Sequence, residues 1–425
     1  MRSVLGSGSF RGWLAATASG AVLAGVMAIG LPATPETSHV LGQVRLASPV
    51  PAHESAVRQL LAQRAAAIRG RDESAFAATV DPQAPADFRQ RQLQWFRNLA
   101  AIPFTEWSYR LEAETEPPAT GTGETWAPGV SLRYALAGVD SVPTEQPVEQ
   151  SFVRRGGSWY VADDAGAHRW RGPWDFGPCH AVRTPGGLVI GHRREPVERV
   201  ARQLDAVIRD VTEVWGTGWS QRVGVLIADS REELRAVVGP GFALNGIAAV
   251  AVADRVDTAA RRVEGPRVVL DPRAADELSD AALKALLRHE ITHIAARAYT
   301  VDGSPMWMRE GFADYVGYRS SGVPPREVAP ELVRQVRAGG LPEQLPDDDE
   351  FHHADRGRDL AYQQSWSFVR HLVERFGEQH VVRLYHRVAA LSSPAEVDAA
   401  LREETGQTTA QLQADWAESL PGTFG

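Results

Sequence analysis

Cysteine and lysine are almost missing from this 425-residue chain. Cys179 is the only cysteine, so no disulfide can close within the chain, and metal or iron–sulfur sites built on cysteine are excluded. Lys284 is the only lysine among 45 basic residues, and the basic residues form no block; against 53 acidic residues they leave a formal charge of −8. Nucleic-acid binding calls for a clustered positive face, so nucleic acid is not expected as a partner. A Walker loop, a G-x-S-x-G elbow and a dinucleotide fingerprint are absent as well. So is any internal repeat of 20–50 residues. What is present is ordinary for a folded protein, 44% hydrophobic and 23% charged, with chain enough for two or three domains.

One apolar run stands out. Trp13 to Leu31 are uncharged and mostly apolar, preceded by Arg2 and Arg11 and followed by Glu36. As a helix this run would span ~28 Å, close to the hydrocarbon thickness of a bilayer. Positive charge before it predicts a cytoplasmic N-terminus and an extracytoplasmic body, secreted or anchored to the membrane through residues 13–31. Residues 1–31 read as a signal peptide, with Ala28-Ile29-Gly30 as a small-x-small cleavage site, or as an uncleaved anchor. A buried helix of the fold is the plainer alternative. Residues 32–51, with Pro, Thr and Ser, read as a linker.

The rest divides by pattern into a small α+β domain at 52–165, a connection at 166–194 and a second domain at 195–425. In the first, helices are predicted over Glu54–Ile68 and Phe88–Leu99. Strands follow at Trp107–Glu112, Val130–Leu136 and Val148–Ala162, the last turning at Gly156-Gly157, and Pro117–Gly129 is a turn-rich connection. Helices followed by antiparallel strands argue an α+β fold. The closing run Gly157-Ser158-Trp159-Tyr160-Val161-Ala162-Asp163-Asp164 resembles the last strand of NTF2-like cone-shaped domains. From Glu195, apolar residues at three- and four-residue spacing (Val197, Val200, Ala201, Leu204, Val207, Ile208, Val211, Val214) predict an amphipathic helix ending at Gly216. Strands are expected at Val223–Ala228, Ile247–Val252 and Val268–Leu270, with a capping box at Ser230-Arg231-Glu232-Glu233. Asp280 to Ala298 is then a helix, and three short helices follow Gly377, one opening on a capping box at Ser393-Pro394-Ala395-Glu396.

The chemistry sits in that Asp280–Ala298 helix. His289-Glu290-Ile291-Thr292-His293 is H-E-x-x-H. On a helix, positions i and i+4 share a face, so both imidazoles can address one metal ion, while Glu290 can reach a water bound there. Leu283, Leu286, Leu287, Ile291 and Ile294 make the helix one that packs on a core. A catalytic zinc wants three protein ligands and an open fourth position. The metzincin extension is excluded, because Ala296 and Tyr299 stand where its glycine and third histidine belong. After sixteen intervening residues comes Glu310, within Trp307-Met308-Arg309-Glu310-Gly311-Phe312-Ala313-Asp314-Tyr315. Glu310 and Asp314 are again i and i+4. The first can ligate while the second accepts the N–H of a ligating histidine. A surface helix with solvated acids is the alternative.

H-E-x-x-H followed by W-x-x-E-G-F-A-x-Y resembles the gluzincins, the clan of thermolysin-like and aminopeptidase-type zinc peptidases, and most closely their peptidase MA-like members. The likeness runs from about Glu195 to Gly377. It implies a zinc peptidase fold with a helical C-terminal half and one zinc per chain on His289, His293 and Glu310. Glu290 would be the general base and Asp314 the acceptor behind a ligand. The ligand spacing is two residues shorter than in the aminopeptidases, and the G-x-M-E-N strand that holds a substrate's free amine there is absent. The run Leu360-Ala361-Tyr362-Gln363-Gln364-Ser365-Trp366 resembles the family helix that supplies an oxyanion donor, which makes Tyr362 the candidate, with ordinary packing as its alternative. The expected activity is hydrolysis of a peptide or protein substrate by metal-activated water, with membrane contact only through an uncleaved N-terminal segment. The rival is a non-catalytic extracytoplasmic binding or scaffold protein on a peptidase fold. Ile247–Val252 is a candidate edge strand for an extended substrate, or a plain core strand. Asp347-Asp348-Asp349-Glu350 with His352, His353 and Asp355 reads as a solvated loop before a cation site. His371, His380 and His386 read as surface or packing histidines.

Overall fold

The structure, a computed structural model, describes residues 51–112, 124–164, 170–239, 247–352 and 356–425. The 13–31 run, the leader or anchor at 1–31 and nearly all of the 32–51 linker lie outside them, as do His353 and Asp355. Among the described residues no helix is long and apolar enough to cross a membrane.

The first half opens with α1 (Ala52–Gly70), α2 (Glu73–Ala77) and α3 (Ala86–Asn98). Six strands follow: β1 (Phe104–Leu111), β2 (Thr125–Trp126), β3 (Gly129–Leu136), β4 (Thr144–Glu149), β5 (Ser151–Arg155) and β6 (Ser158–Asp163). They form two antiparallel three-stranded sheets, in the orders β1-β3-β4 and β2-β5-β6. The run read as one interrupted strand at 148–162 is thus three strands in two sheets. Its β5–β6 turn does fall at Gly156-Gly157, both with positive φ. Strand β4 reaches back to polar Thr144-Glu145-Gln146-Pro147, and as an edge strand it tolerates the proline. The order of helices before strands is α+β, and the NTF2-like detail gains no support beyond that order.

The stretch 166–194, read as a connection, carries two strands, β7 (His180–Thr184) and β8 (Gly187–Gly191). They belong to the five-stranded sheet of the second half, with β9 (Val223–Ile227), β10 (Ala249–Val252) and β13 (Arg267–Leu270) in the order β10-β13-β9-β8-β7. The three central strands are parallel neighbours, while β7 and β10 close the edges antiparallel. Between β10 and β13 runs a hairpin, β11 (Arg255–Asp257) and β12 (Arg262–Glu264). The helices are α4 (Arg194–Trp215), α5 (Arg231–Val238), α6 (Ala274–Glu277), α7 (Asp280–Ala296), α8 (Met306–Tyr318), α9 (Pro325–Val328) and α10 (Pro330–Arg337), then α11 (Arg356–Phe376), α12 (Glu378–Val388), α13 (Pro394–Thr405) and α14 (Thr409–Phe424).

Strands β8, β9 and β13 are buried along their whole length, which requires cover on both faces. Alternate residues go to different cores, as the two-residue period of a strand dictates. Val189, Val223, Val225, Ile227, Val268 and Leu270 pack with α4 and α7. Leu188, Ile190, Leu226, Val250 and Val269 pack with Phe76, Phe96, Trp107, Leu132, Tyr134 and Trp174 of the first half. One sheet therefore shares its faces between the helical half and the N-terminal half.

Two expected caps differ in detail. Ser230 accepts the Glu233 N–H at 3.1 Å, but the Glu233 carboxylate turns to the Asp229 N–H (2.8 Å) and to His192 Nε2 (2.9 Å) instead of closing on Ser230. Pro394 is first in α13 as expected, yet the Ser393 side chain makes no cap bond.

Candidate metal centre

Helix α7 begins at Ser279, whose hydroxyl accepts the Ala282 N–H at 3.2 Å, and lies buried among α4, α8 and the sheet. It ends at Ala296, two residues before the expected limit, where Arg297–Tyr299 tightens into a 3-10 turn. A buried arginine holds its angle: Arg288 Nε donates to Asp210 on α4 at 2.8 Å, and its Nη1 to the Arg319 carbonyl at 3.0 Å. Lys284 reaches the same Asp210 at 3.0 Å. Neither contact was foreseen, although an arginine directly after Leu286-Leu287 on a helix that packs on a core is a visible signal.

Helix α8 brings the second set of residues. Its crossing with α11 depends on Gly311, where a Cβ would stand 2.5 Å from the Ser365 carbonyl oxygen. The acidic run has a structural task here: Asp348 accepts the Met306 N–H at 2.9 Å and so caps α8. That accounts for Asp348 without a cation.

Three side chains meet between these helices. His289 Nε2 lies 3.0 Å from His293 Nε2, and each is 3.5 Å from Glu310 Oε2. Zinc ligands at about 2.0–2.2 Å in tetrahedral array stand roughly 3.3–3.5 Å apart, so this triangle has the dimensions of one face of a zinc tetrahedron. All three are potential metal ligands with donor atoms within 4.8 Å of one another. Behind them, His289 Nδ1–H donates to Asp314 Oδ1 at 2.7 Å, which leaves Nε2 to face the triangle. The four residues singled out from spacing are thus brought together.

The polar bookkeeping points the same way. Glu310 is 0% exposed, and neither of its carboxylate oxygens accepts a hydrogen bond. Glu290, also 0% exposed, has two oxygens without a hydrogen-bond partner. Burying carboxylates that lack hydrogen bonds is expensive, and a cation among these groups relieves that cost. In the protein alone, burial pushes the Glu290 carboxyl up to about 7, with His289 opposing and the like charge of Glu310 adding. Burial would raise Glu310 too, but His293 and His289 outweigh it and hold it far below the usual carboxylate range. Burial lowers His293, against the pull of Glu310. For His289 burial acts downward, and the Asp314 and Glu310 carboxylates overcome it. The residues fit a dication.

Tyr362 on α11 is 2% exposed, with the Phe351 ring edge-on at 5.2 Å. Burial lifts its phenol well above the ordinary value, and Glu310, Asp314 and Glu290 add to the rise, so the group stays a neutral O–H donor. One turn earlier Arg358 has a buried Nε with no hydrogen-bond partner among the described residues, a cation the sequence reading passed over. Gln363, next to Tyr362, accepts the N–H groups of Glu331 and Leu332 and so starts α10. His386 stacks on Tyr299 at 4.1 Å and lies tilted against Trp215 at 4.6 Å, a packing role.

No family model matches the chain, and no curated protein matches it. Among solved structures it is similar to an M1 zinc metallopeptidase from Deinococcus radiodurans, 15% identical over 75% of this chain and 72% of that one, at a TM-score of 0.36. It is also similar to a two-domain M1 zinc metallopeptidase mutant bound to L-arginine, 14% identical over 74% and 71% at a TM-score of 0.36. At TM-scores this low the likeness is coarse, and the site stands on its own distances.

Proposed function

We propose that this protein is a zinc-dependent peptidase, with His289, His293 and Glu310 as the metal ligands and Glu290 as the general base. The observation that carries the reading is the ligand triangle, with two buried carboxylates that accept no hydrogen bond among the described residues, Glu310 within it and Glu290 beside it. A zinc ion held there would supply a Lewis acid that polarises a substrate carbonyl and makes water acidic enough to lose a proton near neutral pH.

The chain's own residues do the rest. Glu290 takes the proton from the attacking water and passes it to the leaving amine, and a carboxyl displaced toward neutrality suits both directions. Asp314 keeps His289 in the tautomer and orientation that presents Nε2. Tyr362 donates its O–H to the carbonyl oxygen as negative charge develops on it. Strand β10, an edge of the sheet among the described residues and beside α7, is the strand an extended peptide would pair with. The substrate is a peptide or protein met outside the cytoplasm, by a protein that is secreted or held at the membrane through residues 13–31.

The test is cleavage of a mixed peptide library by the purified protein. Activity that a chelator abolishes and stoichiometric zinc restores supports the reading. A zinc-loaded protein that cleaves nothing across the library turns it to a non-catalytic binding or scaffold role.

A further inference from the structure

Strand β10 runs beside α7, and the backbone of Ala251 is close enough to Glu290 to favour its charged form. Beyond Val252 the chain reaches Asp254, whose N–H donates to the Glu264 carbonyl at 3.0 Å and opens the β11–β12 hairpin. That hairpin lies against the Arg297–Tyr299 turn at the end of α7, with the Arg261 guanidinium 4.9 Å over the Tyr299 ring. Asp254 is therefore the corner between the edge strand and the hairpin, two pieces that flank the helix of the ligand pair.

The corner is held from the other half of the molecule. Asp254 Oδ2 accepts the Thr144 hydroxyl at 2.7 Å, and Oδ1 accepts Gln146 Nε2 at 3.1 Å, both from β4. The fit is tight: at Gly265 (φ +61°) a Cβ would stand 1.6 Å from Asp254 Oδ2, so only glycine leaves the carboxylate room to reach β4. On β13, Arg267 pairs in register with Val252 and donates two bonds to Asp140 at 2.7 and 2.6 Å. Thr144 is 4% exposed and the Asp140 side chain 0%, so these are buried anchors. The aromatic core beneath accounts for the adhesion of the two halves. It does not explain why β4 places its hydroxyl and amide on the one carboxylate at the base of the edge strand.

We propose that Asp254 is a positioning residue through which the N-terminal half fixes β10 and the β11–β12 hairpin as the wall that takes an extended peptide substrate. The substrate part of this rests on the peptidase reading; the hold itself does not. An unmoored corner leaves the ligands and Glu290 in place but lets the wall open, so substrate binding suffers and the chemical step does not.

The experiment uses the full chain with zinc bound, as wild type, Asp254→Ala, Thr144→Val and the double variant. Amide hydrogen exchange over residues 249–264 should speed about 10-fold in Thr144→Val, the size expected for one lost bond to a charged group, and at least as much in Asp254→Ala, which also loses the Gln146 bond, with β7 and β8 unchanged. KM for a cleaved peptide should rise about 5–50-fold with kcat within about twofold. The double variant should be no worse than the worse single variant, because both remove one contact. Asp254→Asn, which keeps an acceptor oxygen, should recover part of the loss. Should Thr144→Val fail to fold, Gln146→Ala removes only the outer bond and reads the same quantities. Unchanged exchange at 249–264, additive effects in the double variant, or a fall in kcat at constant KM would overturn the proposal. A wild type that cleaves no peptide overturns the peptidase reading, and hydrogen exchange still decides the hold.

Discussion

Asp140 and Arg267, where the two halves meet, are as deeply buried as Glu290 and Glu310 in the site, yet the two places treat buried charge in opposite ways. At the junction the Asp140 side chain is 0% exposed and that of Arg267 6%, and the pair is bidentate, with the Leu136 N–H also donating to Asp140 at 2.7 Å. In the candidate site, both oxygens of Glu290 and both of Glu310 accept no hydrogen bond among the described residues, although each residue is fully buried. Buried charge with its hydrogen bonds made fixes one arrangement of two bodies, and buried carboxylates without them are suited to take a cation. The contrast sets the second cluster apart as a candidate site without appeal to any relative.

The sharpest way to break the contrast is at Glu290. Glu290→Gln keeps the shape and the metal ligands and removes the base, so peptide cleavage at matched zinc content should fall about 10²–10⁴-fold. A variant as active as wild type would show that the free carboxylate has no task.

At the Asp140–Arg267 pair the main effect should be on stability. Asp140→Ala leaves the Arg267 guanidinium buried and unpaired, a loss of about 3–5 kcal/mol in denaturant unfolding, while the folded fraction keeps its zinc. Loss of zinc from fully folded protein would mean that the two clusters are not separate.

Asp314 lies between the two kinds, since its one buried bond serves a ligand. Asp314→Ala should weaken zinc binding by about 10–100-fold, measured by competition with a chelating dye. An unchanged affinity would deny it that role.

The smallest effect belongs to Asp210, whose carboxylate ties α7 to α4 through Arg288 and Lys284. Burial would raise its pKa, but those two cations outweigh it and hold the group below its ordinary value. A depressed folded-state pKa gives stability that is present above the unfolded value of about 3.9 and lost as pH falls through the folded one. Asp210→Asn should therefore cost about 1–2 kcal/mol at pH 7, and the gap to wild type should close in acid below about pH 4. A gap independent of pH would assign the loss to packing.

The site was legible in the sequence because its parts repeat at helical spacing. His289 with His293 and Glu310 with Asp314 are each i and i+4, and the apolar stripe around the first pair marks a buried helix. The junction was not legible. Asp140 and Arg267 are 127 residues apart, and a single charge in a turn or strand carries no periodic mark of its partner. The start of β4 and all of β7 escaped for a related reason: as edge strands they bury little, so residues 144–147 and His180–Thr184 lack the apolar alternation that exposed β3 and β9. Asp348, read as part of a solvated loop, caps α8 from 42 residues further along the chain, a contact that only the tertiary fold creates.

The central claim is that His289, His293 and Glu310 form a catalytic-type metal site, and zinc titration of the purified protein tests it most directly. Wild type should bind about one zinc per chain, displaceable by a chelator, and Glu310→Ala should lose most of that affinity while remaining folded. Full zinc retention by Glu310→Ala, or no stoichiometric binding by wild type, would contradict it.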